Sequence, residues 1–166
     1  RIVWSKVETV SKIKDIQHNV VREMLNTFKF KTGMEVHYQG DLPARSGMGS
    51  SSSFVVGLMN SFSNIKKKNI SKNDLAKKSI HFEQKILKEV VGIQDQISAT
   101  YGGFNKVDIN QKGAYRLKKI KITNKIKEFN ENLVLVFTGI NRTANEIAGQ
   151  YVSGLTKKKF EMKEIS

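Results

Sequence analysis

Residues 43–53 read Pro-Ala-Arg-Ser-Gly-Met-Gly-Ser-Ser-Ser-Ser, and this glycine-serine segment joins a turn directly to an apolar helix. Gly47 and Gly49 permit positive φ and a close approach of backbone N–H groups to an anion. The helix that follows points its unsatisfied amides and the positive end of its dipole at the same place. The combination predicts a loop that binds phosphate groups, with serine hydroxyls available for phosphate or for a phosphate-bound metal ion.

The flanking sequence distinguishes the glycine-serine segment from a flexible linker, which is the commoner role of strings rich in glycine and serine. Residues 34–38 alternate as a strand does, and residues 54–62 continue as an apolar helix. A linker would lie between polar stretches. The segment is not a P-loop either, because no lysine follows Gly49.

The glycine-serine segment resembles the central signature of the GHMP small-molecule kinases, Pro-x-x-x-Gly-Leu-Gly-Ser-Ser-Ala. Met48 replaces the Leu and Ser52 replaces the Ala. The resemblance implies that ATP is bound here. The residues that it assigns to nucleotide binding are Pro43, Arg45, Ser46, Gly47, Met48, Gly49, Ser50, Ser51 and Ser52.

Two carboxylates follow in the sequence. Glu83 lies in a helical stretch that begins near Ser71, and Asp95 follows Gly92 at the opening of another short helix. A kinase that acts on a hydroxyl needs a carboxylate for the metal ion and a group that orients or deprotonates the acceptor. By the resemblance, Ser51 and Glu83 bind Mg²⁺ and Asp95 is the catalytic base. The alternative is that both carboxylates are ordinary solvated charges.

Residues 94–105 carry the more specific likeness. Gln-Asp-Gln at residues 94–96 and Ala-Thr-Tyr-Gly-Gly-Phe-Asn at residues 99–105 resemble a segment of the D-glycero-D-manno-heptose phosphate kinases, as do residues 15–23 and 137–144. The likeness implies ATP-dependent phosphorylation of the anomeric hydroxyl of D-glycero-D-manno-heptose 7-phosphate, on the route to a nucleotide-activated heptose.

Four residues are candidates for contact with this sugar phosphate substrate: Gln94, Gly102, Gly103 and Arg142. The Arg142 guanidinium follows an apolar run and could bind a phosphate with two hydrogen bonds. An arginine exposed to water at the start of a helix is the alternative. The three histidines are far apart in the sequence and have no metal-binding spacing.

The 166 residues, 39% of them hydrophobic, are most simply one domain. The chain has no cysteine, which excludes disulfides and agrees with a cytoplasmic location. No apolar run is long enough to predict a membrane span. The chain lacks a starting Met and the family's N-terminal and C-terminal glycine-rich motifs. We therefore expect residues 1–166 to be a GHMP N-terminal, ATP-binding domain truncated at both ends, without the C-terminal domain, and inactive alone.

The net charge of +14 raises nucleic-acid binding as an alternative function. The basic residues are nearly all lysines, in short clusters without interleaved aromatic residues, which argues against this function. The GHMP resemblance also allows a kinase for a different substrate, such as a galactokinase-like enzyme, and a decarboxylase or a catalytically inactive sensor of the same fold. The presence of both Glu83 and Asp95 favours the kinase. The sequence does not indicate an oligomeric state.

Hydrophobic periodicity predicts an α+β mixture of strands and helices. The resemblance to the GHMP kinases implies the fold of their N-terminal domain, of the type of ribosomal protein S5 domain 2, with a mixed sheet packed against helices. We expect strands near residues 2–10, 34–39, 104–109, 115–120 and 133–138, and helices near residues 16–30, 50–63, 72–88, 94–100 and 143–159.

Overall fold

The computed structural model describes residues 1–40, 47–111, 113–121 and 125–136. The elements within these ranges, in chain order, are β1 (Ile2–Val3), β2 (Val7–Glu8), a 3₁₀ turn (Ile13–Asp15), α1 (Asn19–Phe28), β3 (Val36–His37), α2 (Ser50–Ile65), α3 (Lys72–His81), a π-helix (Phe82–Ile86), α4 (Gln94–Tyr101), β4 (Asn105–Ile109), β5 (Tyr115–Lys119) and α5 (Ile126–Glu131). The α+β class is confirmed.

Strands β1, β2 and β3 form a mixed sheet in the order β2-β1-β3. Strand β1 pairs antiparallel with β2 and parallel with β3, with Ile2 opposite both Glu8 and Val36. The single strand predicted over residues 2–10 is in fact two short strands. The chain reverses between them, where the Trp4 amide donates to the Lys6 carbonyl at 2.9 Å.

Helix α1 packs one face on the core, as its hydrophobic spacing predicts: Val21 and Met24 are fully buried. The buried Glu8 carboxylate fixes the start of helix α1, because it accepts hydrogen bonds from the Trp4 indole at 3.0 Å and from the His18 amide at 3.1 Å. Burial alone raises the pKa of Glu8, but the hydrogen bonds outweigh it and lower the pKa.

Helix α2 forms the centre of the core, with Val55, Met59 and Phe62 buried. The Phe62 ring lies edge-on to Phe28 at 5.6 Å and to Phe30 at 4.8 Å between ring centroids. Burial of each such side chain stabilises the fold by about 1.5–3 kcal/mol. This packing fixes the axis of α2 and therefore the position of its N-terminus.

Helix α3 is capped by Ser71, whose hydroxyl accepts from the Asp74 amide at 3.1 Å. The sequence predicts one helix over residues 72–88, but the chain changes to a π-helix at Phe82, closed by the Leu87 amide donating to the Phe82 carbonyl at 2.9 Å. Phe82 and Glu83, at the start of this π-helix, are both buried. Such π-helical turns are rare and often lie at functional sites.

Strands β4 and β5 form a separate antiparallel hairpin with Val107 opposite Leu117. Tyr115 lies near Tyr101 at the end of α4, and burial together with this neighbour raises the pKa of Tyr115 to about 12. Helix α5 has no counterpart among the predicted helices.

The predicted strand over residues 133–138 is wrong for its described part. Residues 133–136 are exposed and are in no strand, because no described strand pairs with them. The remainder of that prediction and the helix predicted over residues 143–159 lie outside the described residues. None of the described helices has the length and apolar character needed to cross a lipid bilayer.

Candidate active site

The described part of the glycine-serine segment, residues 47–53, turns directly into helix α2. Gly47 and Gly49 have φ of 75° and 68°, the left-handed region that favours glycine, and Gly49 is the N-cap of the helix. No side chain of the described residues caps α2, and the first turn of the helix carries no acidic residue. The first amides of the helix therefore lack intrahelical acceptors and point outward, an arrangement suited to binding an anion.

Asp95 lies against this turn from the first turn of α4. A Cβ atom built on Gly49 would stand 3.2 Å from the Asp95 carboxyl carbon and 3.4 Å from its Oδ2. The Asp95 side chain is exposed. The fold thus brings two predicted site residues, 46 positions apart in sequence, into contact at the mouth of α2.

Behind this contact lies a buried polar network that joins three elements. Ser52 Oγ, on α2, donates to Glu83 Oε1 at 3.0 Å and to Oε2 at 3.1 Å. Gln96 Nε2, on α4, donates to Glu83 Oε2 and lies 3.2 Å from Ser52 Oγ. Glu83 is 1% exposed and Gln96 is fully buried. We call this the Ser52–Glu83–Gln96 network.

Several effects act together on the pKa of the buried Glu83 carboxylate, and their net result is a raised pKa. Burial raises its pKa, the hydrogen bonds from Gln96 and Ser52 act against this rise, and the nearby carboxylates of Glu89 and Asp95 add to it. None of the ion pairs within the described residues involves Glu83. A buried carboxylate beside other carboxylates and without a basic partner is a site that favours a cation.

The serines of the glycine-serine segment differ in their placement. Ser51 is exposed at the start of α2, whereas Ser52 is buried and is the serine that hydrogen-bonds Glu83. Ser50 is half-buried and Met48 is exposed. Pro43, Arg45 and Ser46 lie outside the described residues.

Three of the four residues predicted to contact the sugar phosphate lie at the two ends of α4. The exposed Gln94 side chain folds back over Gly92 so closely that a Cβ there would overlap it. Gly102 and Gly103 have φ of 62° and 75° and end the helix. Arg142 lies outside the described residues.

Sequence reasoning missed the role of Gln96 and a row of aromatic rings beside α2. The Trp4 ring lies 4.8 Å from His18, His18 lies 5.4 Å from Phe54, and Phe54 lies 4.3 Å from Tyr38, all between centroids. The four residues are half-buried, and Phe54 is one turn beyond Ser50. No sequence spacing joins them, because they come from four separate parts of the chain.

Comparison with known families gives a match to the model described as the GHMP kinases N terminal domain, over residues 13–103. The match includes the glycine-serine segment, Glu83 and Asp95. The chain belongs to the GHMP kinase family.

One curated relative is the D-glycero-alpha-D-manno-heptose 7-phosphate kinase of Campylobacter jejuni subsp. jejuni, which is 32% identical over 135 residues. This match covers 81% of the chain and 39% of the relative.

Three solved structures are similar in fold. A Campylobacter jejuni protein described as a sugar kinase has a TM-score of 0.67 at 27% identity, covering 87% of the chain and 49% of that protein. A D-glycero-D-manno-heptose 1-phosphate kinase from Bacteroides thetaiotaomicron has a TM-score of 0.62 at 22% identity, covering 76% of the chain and 41% of that protein. A mevalonate kinase has a TM-score of 0.50 at 21% identity, covering 72% of the chain and 38% of that protein. The chain therefore spans less than half the length of each protein that it matches here.

Proposed function

We propose that this protein is an ATP-dependent sugar kinase that phosphorylates the anomeric hydroxyl of D-glycero-D-manno-heptose 7-phosphate. The observation that carries the proposal is the contact between Asp95 and Gly49, because it puts a carboxylate at the helix N-terminus that would hold the transferred phosphate. The family match and the curated heptose 7-phosphate kinase support the reaction type and the substrate.

The first step is binding of the nucleotide. The backbone amides of residues 47–51 bind the β- and γ-phosphates at the positive end of α2, where no side chain of the described residues competes for them as a cap. The aromatic row that includes Phe54 and Tyr38 offers ring faces on which a base can stack beside the phosphates.

Mg²⁺ fits the site as an ion that arrives with the nucleotide. Among the described residues no group of three histidines or acids could hold a metal ion unaided. Mg²⁺ on a nucleotide needs only one or two protein groups beside the phosphates. Glu83 is a carboxylate that has no basic partner among the described residues, in a setting that favours a cation. Ser51 and Glu83 would hold the ion, which neutralises charge on the phosphates when bound.

Asp95 orients the acceptor and takes its proton. The anomeric oxygen attacks the γ-phosphorus in line, the bond from that phosphorus to the β,γ-bridging oxygen breaks, and ADP leaves with the bonding electrons. The hydroxyl proton moves to the Asp95 carboxylate, which is exposed and therefore accessible to an acceptor. Positioning and electrostatics provide most of the acceleration.

The sugar phosphate would lie at the ends of α4. The Gly102 and Gly103 turn, with the side-chain amide of Asn105 donating to the Gly102 carbonyl at 3.0 Å, brings the backbone close to the acceptor without side chains in the way. Gln94 and Arg142 are the further residues that we assign to substrate contact. A reaction on ATP and a sugar phosphate is consistent with a cytoplasmic location.

The test is a turnover assay of the full-length protein with ATP, Mg²⁺ and a panel of acceptors: D-glycero-D-manno-heptose 7-phosphate, galactose and mevalonate. Phosphorus NMR of the products identifies which hydroxyl carries the new phosphate. We expect ADP release with the heptose phosphate and a new resonance from an anomeric phosphate. Turnover with another acceptor alone would contradict the assignment of the heptose phosphate as substrate. Tight, salt-sensitive binding of a DNA duplex without ATP binding would contradict the kinase function itself.

A further inference from the structure

The Ser52–Glu83–Gln96 network lies beside the contact between Gly49 and Asp95, on the same two helices. Ser52 is three residues after Gly49 on α2, and Gln96 is the residue after Asp95 on α4. The exposed contact and the buried network therefore join the same two helices, one in front of the other.

We propose that Ser52 and Gln96 are positioning residues that hold the Glu83 carboxylate toward the nucleotide-bound Mg²⁺, an inference that rests on the proposed function. Both donate hydrogen bonds to the Glu83 carboxyl group, Ser52 to its two oxygens and Gln96 to Oε2. Donors around a metal-binding carboxylate fix its orientation and often matter nearly as much as the ligand itself.

The surroundings of the Gln96 side-chain amide support this positioning role. Gln96 is fully buried, and its Nε2 is shared between Glu83 and Ser52, while its Oε1 has no hydrogen-bond partner among the residues that the structure describes. A core position that needed only packing would be filled with less loss by an apolar side chain of similar volume. The buried amide is explained by the carboxylate that it faces.

Ser52 is informative because the GHMP signature carries Ala at this position. In this chain the added hydroxyl donates to both oxygens of Glu83. If Ser52 served packing alone, Ser52→Ala would be nearly neutral, since alanine is well accepted in a helix. If Ser52 positions Glu83, the same small substitution changes how the site responds to Mg²⁺.

The experiment measures ATP affinity by calorimetry in the full-length protein, with Mg²⁺ and with EDTA. The variants are Ser52→Ala, Gln96→Met and the double variant. Ser98→Ala, at an exposed position on the same helix as Gln96, is the matched control. The ratio of the two affinities is the gain from Mg²⁺, and thermal unfolding of each variant is measured alongside.

We expect each single variant to reduce the gain from Mg²⁺ by about tenfold, in the range found when hydrogen-bond partners of metal ligands are removed. Affinity in EDTA should stay within about twofold, because the backbone amides of residues 47–51 are untouched and the buried Ser52 hydroxyl, counted with the nucleotide-binding segment from sequence, is hydrogen-bonded to Glu83 instead. The double variant should lose less than the product of the single losses, since both residues act through Glu83. The control should match the parent protein.

Two results would overturn the inference alone: an unchanged gain from Mg²⁺ in both single variants, or a parallel loss of affinity in EDTA, which would indicate a structural role only. A parent protein that binds ATP without any gain from Mg²⁺ would overturn the inference together with the assignment of Glu83. A parent protein that binds no ATP in either condition would overturn the proposed function and the inference with it.

Discussion

The Asp95 carboxyl carbon lies 3.2 Å from the point where a Cβ atom on Gly49 would stand. The contact leaves no room for a side chain on Gly49 unless Asp95 moves, and φ of 68° disfavours any other residue there. Glycine at this position therefore serves two purposes: it permits the turn into α2, and it lets the carboxylate of α4 reach the helix N-terminus.

Gly49→Ala should destabilise the protein by about 1–2 kcal/mol, the cost of a left-handed conformation for a residue with a Cβ. It should also weaken ATP binding by at least tenfold, because Asp95 is displaced and the amides of the turn shift. Gly57→Ala is the control: Gly57 lies within α2, a Cβ there would meet nothing within 4 Å, and the variant should be more stable by about 0.5–1 kcal/mol. Urea denaturation and calorimetry give the two quantities. Equal stabilities for the two variants would contradict the geometry.

Asp95→Asn should lower kcat by about 10²–10⁴-fold, since the amide cannot accept the acceptor proton. The KM for ATP should change little, because the backbone amides bind the phosphates. Steady-state kinetics of the full-length protein separate the two parameters. Unchanged turnover would show that Asp95 is not the base.

Glu83→Gln should raise the Mg²⁺ concentration needed for half-maximal turnover, because a neutral amide is a weaker ligand than a carboxylate. The side chain keeps its shape in the interior, and the substitution removes a buried charge. We therefore expect a clear rise in the Mg²⁺ concentration needed for half-maximal turnover, with only a small change in the free energy of unfolding. A Mg²⁺ titration identical to that of the parent protein would refute the role assigned to Glu83.

The lowered pKa of His18 predicts that the protein loses stability in mild acid. Burial between Trp4 and Phe54 lowers its pKa below the ordinary value of 6.5, although the Glu8 carboxylate acts against this effect. The unfolded chain then binds a proton more readily than the folded chain, so the free energy of unfolding falls as pH drops below 6.5 and levels off below the folded pKa. Denaturant unfolding from pH 8 to pH 5 measures this slope.

His18→Gln should flatten that slope, whatever its effect on stability at pH 8. The lowered pKa of Glu8 contributes separately at more acidic pH, where protonation of Glu8 below its ordinary value of 4.5 removes further stability. A slope between pH 7 and pH 5 that persists in the His18→Gln variant would place its origin in another group.

The fold was largely predictable from sequence where local signals agree with the packing. The glycines and serines before an apolar run predicted the turn and the start of α2, and the spacing of Val20 and Met24 predicted the buried face of α1. Each of these features depends on residues that are close together in the sequence.

The features that sequence reasoning missed depend on distant partners or on a small local insertion. The π-helix adds one residue to a turn inside the predicted helix, and periodicity read at a regular spacing does not detect it. Gln96 finds its partners 13 and 44 residues away, so no local pattern marks it. Residues 133–136 are apolar like a strand but have no described strand beside them.

The central claim is that the amides at the start of α2 bind the phosphates of ATP. Backbone amide NMR of ¹⁵N-labelled protein, titrated with Mg²⁺-ATP, tests it residue by residue. We expect the largest shifts at Gly49, Ser50 and Ser51, and no comparable shifts along the lysine-rich strands β4 and β5. Shifts confined to those strands, with none at the start of α2, would contradict the claim.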